Sequence, residues 1–454
     1  MLQDRGLLHP VLRKYFRYAA LAVVALALLP IGNAVGAGNG PGGNEGVNDR
    51  GAVRLLTLIP VPVSAVNNTA GALYSFDISW VDQVTQIYYL ADRSNSAVDI
   101  VDAKTNKFLG QLAATPAFAG ASPPATSPGP NGVVTGGHCL FVTDAPSRVV
   151  SFDTTHFPPT QVSDVQTATP TANRADELAY DPQDKLLLVI NNADTPPFGT
   201  FITVNPASCA LTQPTAANKI TFDAAHGVNA QGGAEQPVWV PETGTFFLSI
   251  PQIGATVSHG GVVRIAPNAT SVAASDVFGV DFCGPAGLAV GPFPDLLIGC
   301  NKVFDTAGNV WDPNGAVPAA PKDVILDIKT GKTTDVPGVG AGDEVWHNAG
   351  DNNYYATGSG SPLRPLPAAT AKGATPLGVI DAEDETLVQL VPTYNVPAGT
   401  GHPAGTAHSV AANAQNNFVF VPLAANNAFG GPTPTDPNCL TGCIAVYFRP
   451  SKVE

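Results

Sequence analysis

Asp77-Ile-Ser-Trp80, Ile87-Tyr-Tyr-Leu-Ala-Asp92, Ala97-Val-Asp-Ile-Val-Asp102 and Lys107-Phe-Leu-Gly-Gln-Leu112 follow one another as four short apolar runs separated by turns. The pattern returns six more times. Its second runs are Leu140-Phe-Val-Thr-Asp144, Leu186-Leu-Leu-Val-Ile190, Phe246-Phe-Leu-Ser-Ile250, Leu296-Leu-Ile298, Tyr354-Tyr-Ala-Thr357 and Phe418-Val-Phe-Val421. Third runs such as Val149-Val-Ser-Phe-Asp153, Val324-Ile-Leu-Asp327 and Leu377-Gly-Val-Ile-Asp381 end at an Asp before a turn. A repeat of roughly 40 to 50 residues with about four strands per unit is the mark of a propeller blade. The expected fold is all-β, a seven-bladed β-propeller.

The last unit stops at Arg449-Pro450, one strand short, while the apolar run Val53-Arg-Leu-Leu-Thr-Leu-Ile59 has no unit of its own. An open blade would expose a row of unpaired backbone groups. The N-terminal run is therefore expected to supply the outer strand of the seventh blade and close the ring.

The 46 Gly and 42 Pro provide turns, and no stretch after the leader sustains a helical period. Length alone suggests several domains, but a ring grows by adding blades, so residues 52–454 read as one propeller. The Pro/Ala/Ser/Gly stretch from Thr115 to Pro130 then reads as an inter-blade loop. Ahead of the propeller, Arg13, Lys14 and Arg17 precede an apolar run from Ala19 to Leu29, and Val35-Gly-Ala37 offers small residues for cleavage. Residues 1–37 are expected to be a signal peptide and 38–51 a Gly-rich lead-in, giving a periplasmic or secreted protein with no membrane attachment after cleavage.

Export makes the six cysteines candidates for pairing. Cys283 and Cys300 lie at the outer ends of a hairpin whose register, if Leu288 faces Leu296, sets them nearly opposite. Cys439 and Cys443 bracket a short loop, and Cys139 with Cys209 remains by elimination. A formal net charge of −14, with charged residues only 13% of the chain, leaves no cluster of Lys and Arg after residue 17. Nucleic acid and anionic lipid are excluded as partners on that ground. A small-molecule ligand and a protein partner both stay open.

Tyr89 to Asp102 resembles the YVTN-type repeat of bacterial propellers, a form related to the NHL repeat. Gly233-Ala-Glu-Gln-Pro-Val-Trp239, Gly342-Asp-Glu-Val-Trp346 and Ala407-His-Ser-Val-Ala-Ala412 resemble their counterparts in exported YncE-like proteins. The resemblance implies architecture more than activity, because related propellers include lactonases, lyases and pure binding scaffolds.

Innermost strands start at one face, so the residue before each strand contributes to a ring around the axis. Alignment on the second strands gives Asp77, Asp176, Glu344 and His408 one shared position, with Glu235 one place earlier and Glu177 one place later. Carboxylates converging on a pore suit calcium or magnesium, and a His nitrogen tilts the choice toward manganese, iron or zinc. Asp77, Asp176, Glu235, Glu344 and His408 are the candidate metal ligands, and Glu235, His408 and Glu177 the candidate catalytic acids and bases. The same groups could act without metal, or hydrogen-bond the loops and tie the blades together. Asp92-Arg93 and Asn191-Asn192-Ala-Asp194 lie where second strands return to the mouth, where turn chemistry competes with a role in specificity. The expectation is a small-molecule site at the channel mouth. It belongs either to a divalent-metal-dependent, lactonase-like hydrolase or lyase, by analogy with gluconolactonase-type and streptogramin-lyase propellers, or to a non-enzymatic scaffold of the cell envelope.

Overall fold

The computed structural model describes residues 51–122, 127–167, 173–311, 319–340, 342–358, 376–393, 407–425 and 439–450. The expected signal peptide and nearly all of the lead-in lie outside them, as does 123–126 of the inter-blade loop. Seven separate antiparallel sheets are formed by the described residues.

Blade 1 comprises Ser79–Asp82, Ile87–Asp92, Ala97–Asp102 and Lys107–Leu112, from the axis outward. Blade 2 comprises Pro130–Gly136, Cys139–Asp144, Arg148–Asp153 and Thr160–Gln166. In blade 3, Leu178–Asp181, Leu186–Asn191 and Phe198–Asn205 are followed by a short outer strand, Ala210–Leu211, and by Lys219–Thr221, which pairs with the other end of Phe198–Asn205. Blade 4 is Pro237–Val240, Thr245–Ile250, His259–Ile265 and Val277–Asp281; blade 5 is Cys283–Val290, Asp295–Val303, Lys322–Asp327 and Thr333–Pro337. Blade 6 is Val345–Asn348, Asn353–Thr357, Pro376–Asp381 and Thr386–Pro392.

Blade 7 takes Ala411–Asn413, Phe418–Leu423 and Cys443–Phe448 from the C-terminal end and Arg54–Pro60 from the N-terminal end. The closing ladder is antiparallel and runs from Arg54 opposite Phe448 to Pro60 opposite Cys443. The joining strand serves both its neighbours. Val53 and Leu58 pack with Tyr355, Val379 and Tyr447 between blades 6 and 7, while Ile59 and Val61 pack with Tyr88, Phe420 and Val446 between blades 7 and 1. The other five core clusters likewise each join two adjacent blades, so apolar burial is continuous around the ring.

The Asp that ends so many strands has a local cause. One carboxylate oxygen of Asp82 accepts from the N–H of Val84 and Thr85, and Asp102, Asp181, Asp327 and Asp381 repeat the arrangement two and three residues on. Each is an Asx turn that folds the chain back at the face opposite the mouth.

Cys139–Cys209, Cys283–Cys300 and Cys439–Cys443 are disulfides, and no described cysteine is free. The hairpin register around the second pair differs from expectation. Leu288 faces Ile298, Val290 faces Leu296, and two irregularities between Gly284 and Leu288 bring Cys300 opposite Pro285. Three disulfides imply an oxidising compartment. No helix of the described residues is long and apolar enough to cross a membrane.

Candidate functional site

Backbone hydrogen bonds fix which residues share a height on the axis. The N–H groups of Asp77, Asp176 and Glu235 donate to Ala91, Ile190 and Ser249 at 2.9, 2.8 and 2.9 Å. One residue further on, the carbonyls of Ile78, Glu177, Gln236 and Glu344 accept from Ala91, Ile190, Ser249 and Thr357. Glu344 is therefore level with Glu177, and its predecessor Asp343 is level with Asp77. Across blades, the N–H groups of Ile78, Gln236 and Glu344 donate to the carbonyls of Asn131, Ala286 and His408. The mouth ring is accordingly Asp77, Asn131, Asp176, Glu235, Ala286, Asp343 and His408, one residue from each blade.

This corrects the sequence alignment in two places. Glu235 needs no longer turn, since the second strand of blade 4 begins at Thr245 and not at Phe246. The second strand of blade 6 begins at the polar Asn353, one residue before the aromatic pair used to align it, and that slip hid Asp343 behind Glu344.

At the mouth, His408 lies between two carboxylates, with Nε2 at 3.0 Å from Asp77 Oδ1 and 3.0 Å from Asp343 Oδ2. The other oxygen of Asp77 holds the Arg93 guanidinium, which also donates to Asn131 Oδ1 at 2.9 Å and approaches Asp176 at 3.8 Å. Arg174 pairs with Asp176 at 2.7 Å and donates to Asn192 Oδ1 at 3.1 Å. Asn192 in turn donates to Glu235 Oε2 at 3.3 Å. A continuous polar chain thus runs from Asp343 through His408, Asp77, Arg93, Asp176, Arg174 and Asn192 to Glu235. Blade 5, with Ala286, adds no functional group. His408 and Asp343 keep 25% and 22% of their side chains exposed, whereas Asp77 and Asp176 are buried.

Glu344 has a different set of partners. Its Oε2 accepts from the Ser409 hydroxyl, from Val410 N at 3.0 Å and from Ser79 N at 3.3 Å, which ties blade 6 across blade 7 to blade 1. Glu177 is buried one step below the ring, and its Oε2 is buried without a hydrogen-bond partner.

The electrostatics follow from these contacts. Burial opposes ionisation of Asp77, but Arg93 and His408 override it and hold the carboxyl below its usual range. Burial pushes Asp176 up to about 6 against the pull of Arg174. Burial, then the charges of Asp343 and Asp176, carry Glu235 up to about 8. Burial likewise takes Glu344 to about 8 despite its hydrogen-bond donors, and takes Glu177 well above the carboxylate range, aided by the charge of Asp176. Burial alone would depress His408, yet Asp343 and Asp77 raise it to about 9.

Arg93 and Asn192 are the members of the two return segments that reach the mouth. Asp92 caps its own turn by accepting from Asn95 N at 2.9 Å. Arg174 carries no sequence signal, since it lies outside any strand. A second grouping, His138 with Cys139 and Cys209, is no metal site, because the two cysteines are bonded to each other. His347 in blade 6 rests on Tyr354, with ring centroids 5.1 Å apart, and its Nε2 lies 3.3 Å from Asn352 Oδ1.

No protein-family model matches the chain, and no curated protein does. Among solved structures, the chain is similar to hydrazine synthase of Kuenenia stuttgartiensis. The TM-score is 0.54 with 13% identity, covering 79% of this chain and 94% of that one. At that identity the likeness is one of fold alone.

Proposed function

We propose that this chain is an exported propeller of the YVTN/NHL type whose mouth binds a divalent cation through Asp77, Asp343 and His408. With the cation it takes up a small molecule, on which it acts as a lactonase-like hydrolase or a lyase. One observation carries the reading: a ring nitrogen lies 3.0 Å from one oxygen of each of two carboxylates. Two ligands at right angles around a cation with bonds of about 2.1 Å stand about 3.0 Å apart, which matches both His408–carboxylate distances, and the three ligand atoms all lie within 4.8 Å of one another. One imidazole with two carboxylates suits manganese, iron or zinc better than calcium or magnesium, which favour oxygen alone. A bound cation would polarise a substrate carbonyl. Glu235, with its pKa near 8, holds a proton that can be given or taken close to neutrality.

A second reading has its own support. The carboxylates of Asp77 and Asp176 already have Arg93 and Arg174 as counter-ions, which suits a non-enzymatic scaffold of the cell envelope that binds a ligand or a protein partner with this face. Metal analysis of the purified protein, followed by calorimetric titration with manganese and zinc, separates the two. Stoichiometric binding that is lost in Asp343→Asn and His408→Gln supports the metal site; no binding in the wild type leaves the scaffold. Hydrolysis of simple lactones, with and without metal, then tests the reaction class.

A further inference from the structure

Beneath the mouth ring lies a cavity of about 550 Å³ lined by the innermost strands of blades 1 to 6. It extends from Glu177 and Gln236, one step below the ring, to Gly136, Gly137, Pro182 and Pro241 in the hairpin turns of the opposite face. Its volume is in the range that encloses a small organic molecule. Three of the chain's four tryptophans, Trp80, Trp239 and Trp346, line it together with Tyr180. Trp80 and Trp346, from blades that flank blade 7, meet edge to face with centroids 5.1 Å apart, and Trp346 packs against the cluster that holds the small blade 7 residue Ala411.

Two polar atoms in this lining lack partners. Glu177 Oε2 is buried without a hydrogen-bond donor, and the indole N–H of Trp239 is buried without an acceptor. Trp80 differs, because its N–H donates to Thr135 Oγ1 at 2.9 Å. A carboxyl oxygen buried with no donor costs free energy, which a ligand that supplies a donor to the group can recover. The indole faces favour a cation over a neutral group and cover an apolar body.

We propose that the axial channel binds an organic ammonium, with the nitrogen donating to Glu177 and the apolar body lying among Trp80, Trp239 and Trp346. The inference deepens the small-molecule reading of the mouth by naming a ligand class, and it requires no metal. Such a molecule reaches the channel from the hairpin face or passes the mouth ring, and in either case its charged end stops at Glu177.

The test is a titration of wild-type protein in EDTA with 2-phenylethylammonium, read by tryptophan fluorescence, alongside its neutral counterpart 2-phenylethanol. Three of the four tryptophans report on the channel directly. The expected result is a saturable change with the ammonium and binding of the alcohol weaker by about tenfold or more, the loss that follows when a charged hydrogen bond goes unmade. Glu177→Gln should weaken the ammonium by a similar factor, and Val238→Phe, which narrows the channel, should abolish binding. No saturable change at millimolar ammonium, or equal affinity for the alcohol in the wild type, overturns the proposal even if a variant fails to fold. EDTA keeps the outcome separate from the metal reading, which stands or falls on the calorimetry.

Discussion

Ring closure by the N-terminal strand can be tested with a pair of single substitutions. Leu58 is 6% exposed and faces blade 6, whereas Ile59 is 3% exposed and faces blade 1. Truncating either to Ala removes a buried side chain from a blade interface to which the strand contributes, at a cost of about 2–5 kcal/mol each. The two side chains enter different clusters on opposite faces of one strand, so the costs should add approximately, to about 4–10 kcal/mol in the double variant. Domain stabilities are themselves about 5–15 kcal/mol, so the double variant is expected to unfold at very low denaturant. Leu56, 47% exposed on the same strand, is the control, and its Ala variant should stay within about 0.5 kcal/mol of the wild type. Guanidinium titration followed by tryptophan fluorescence reads the midpoint, and an unchanged slope keeps the comparison valid. Removing residues before Gly51 should leave the midpoint in place, while removal through Val61 deletes the whole closing ladder. If Leu56→Ala and Ile59→Ala shift the midpoint equally, the strand does not hold the ring.

Glu344 has its pKa raised from 4.5 to about 8, so its stability contribution is full below about 4.5 and declines as pH rises toward 8. Glu344→Gln, whose amide oxygen can accept the same donors, should flatten the loss over that window, whereas Glu344→Ala should cost about 1–3 kcal/mol for each backbone N–H it strands, both read from unfolding midpoints across pH. His408, raised from 6.5 to about 9, contributes fully below about 6.5 and loses that contribution as pH rises through 9, so His408→Gln should reduce the slope between those values. Paired Cys→Ala variants should lose stability in the order of the loops they close, about 4 kcal/mol for Cys139–Cys209 with separation 70, about 3 for Cys283–Cys300 with 17, and about 2 for Cys439–Cys443 with 4. A flat order under denaturant would refute the loop-entropy account.

The blade pattern was legible because the second and third strands are buried on both faces and so read as continuous short apolar runs, and because each turn carries its own chemistry, as at Asp82 and Asp102. Closure followed from counting strands, and the cysteine pairs from their places on hairpins and rims. The site was legible only to within a residue. A polar residue that opens a strand, such as Asn353, looks like the end of a turn, and apolar runs mark where side chains are buried but not where a ladder begins. The cations were harder still. Arg93 and Arg174 reach the mouth from a return turn and an inter-blade segment, and no periodicity governs where such side chains point. Bulges defeat register arguments in the same way, as the hairpin from Cys283 to Val303 illustrates.

The pairing of residue 54 with residue 448 also orders events in time. Arg54–Pro60 has no partner strand until Cys443–Phe448 emerges, roughly 20–80 s later at about 5–20 residues per second. Throughout that interval six blades can assemble in sequence while the seventh cannot, so the nascent chain presents an incomplete arc with two raw ends. A chain built this way gains from being kept unfolded until it is whole, and any premature stop near the C-terminus yields not a slightly shorter propeller but an open one, with Arg54–Pro60 free to seek another sheet.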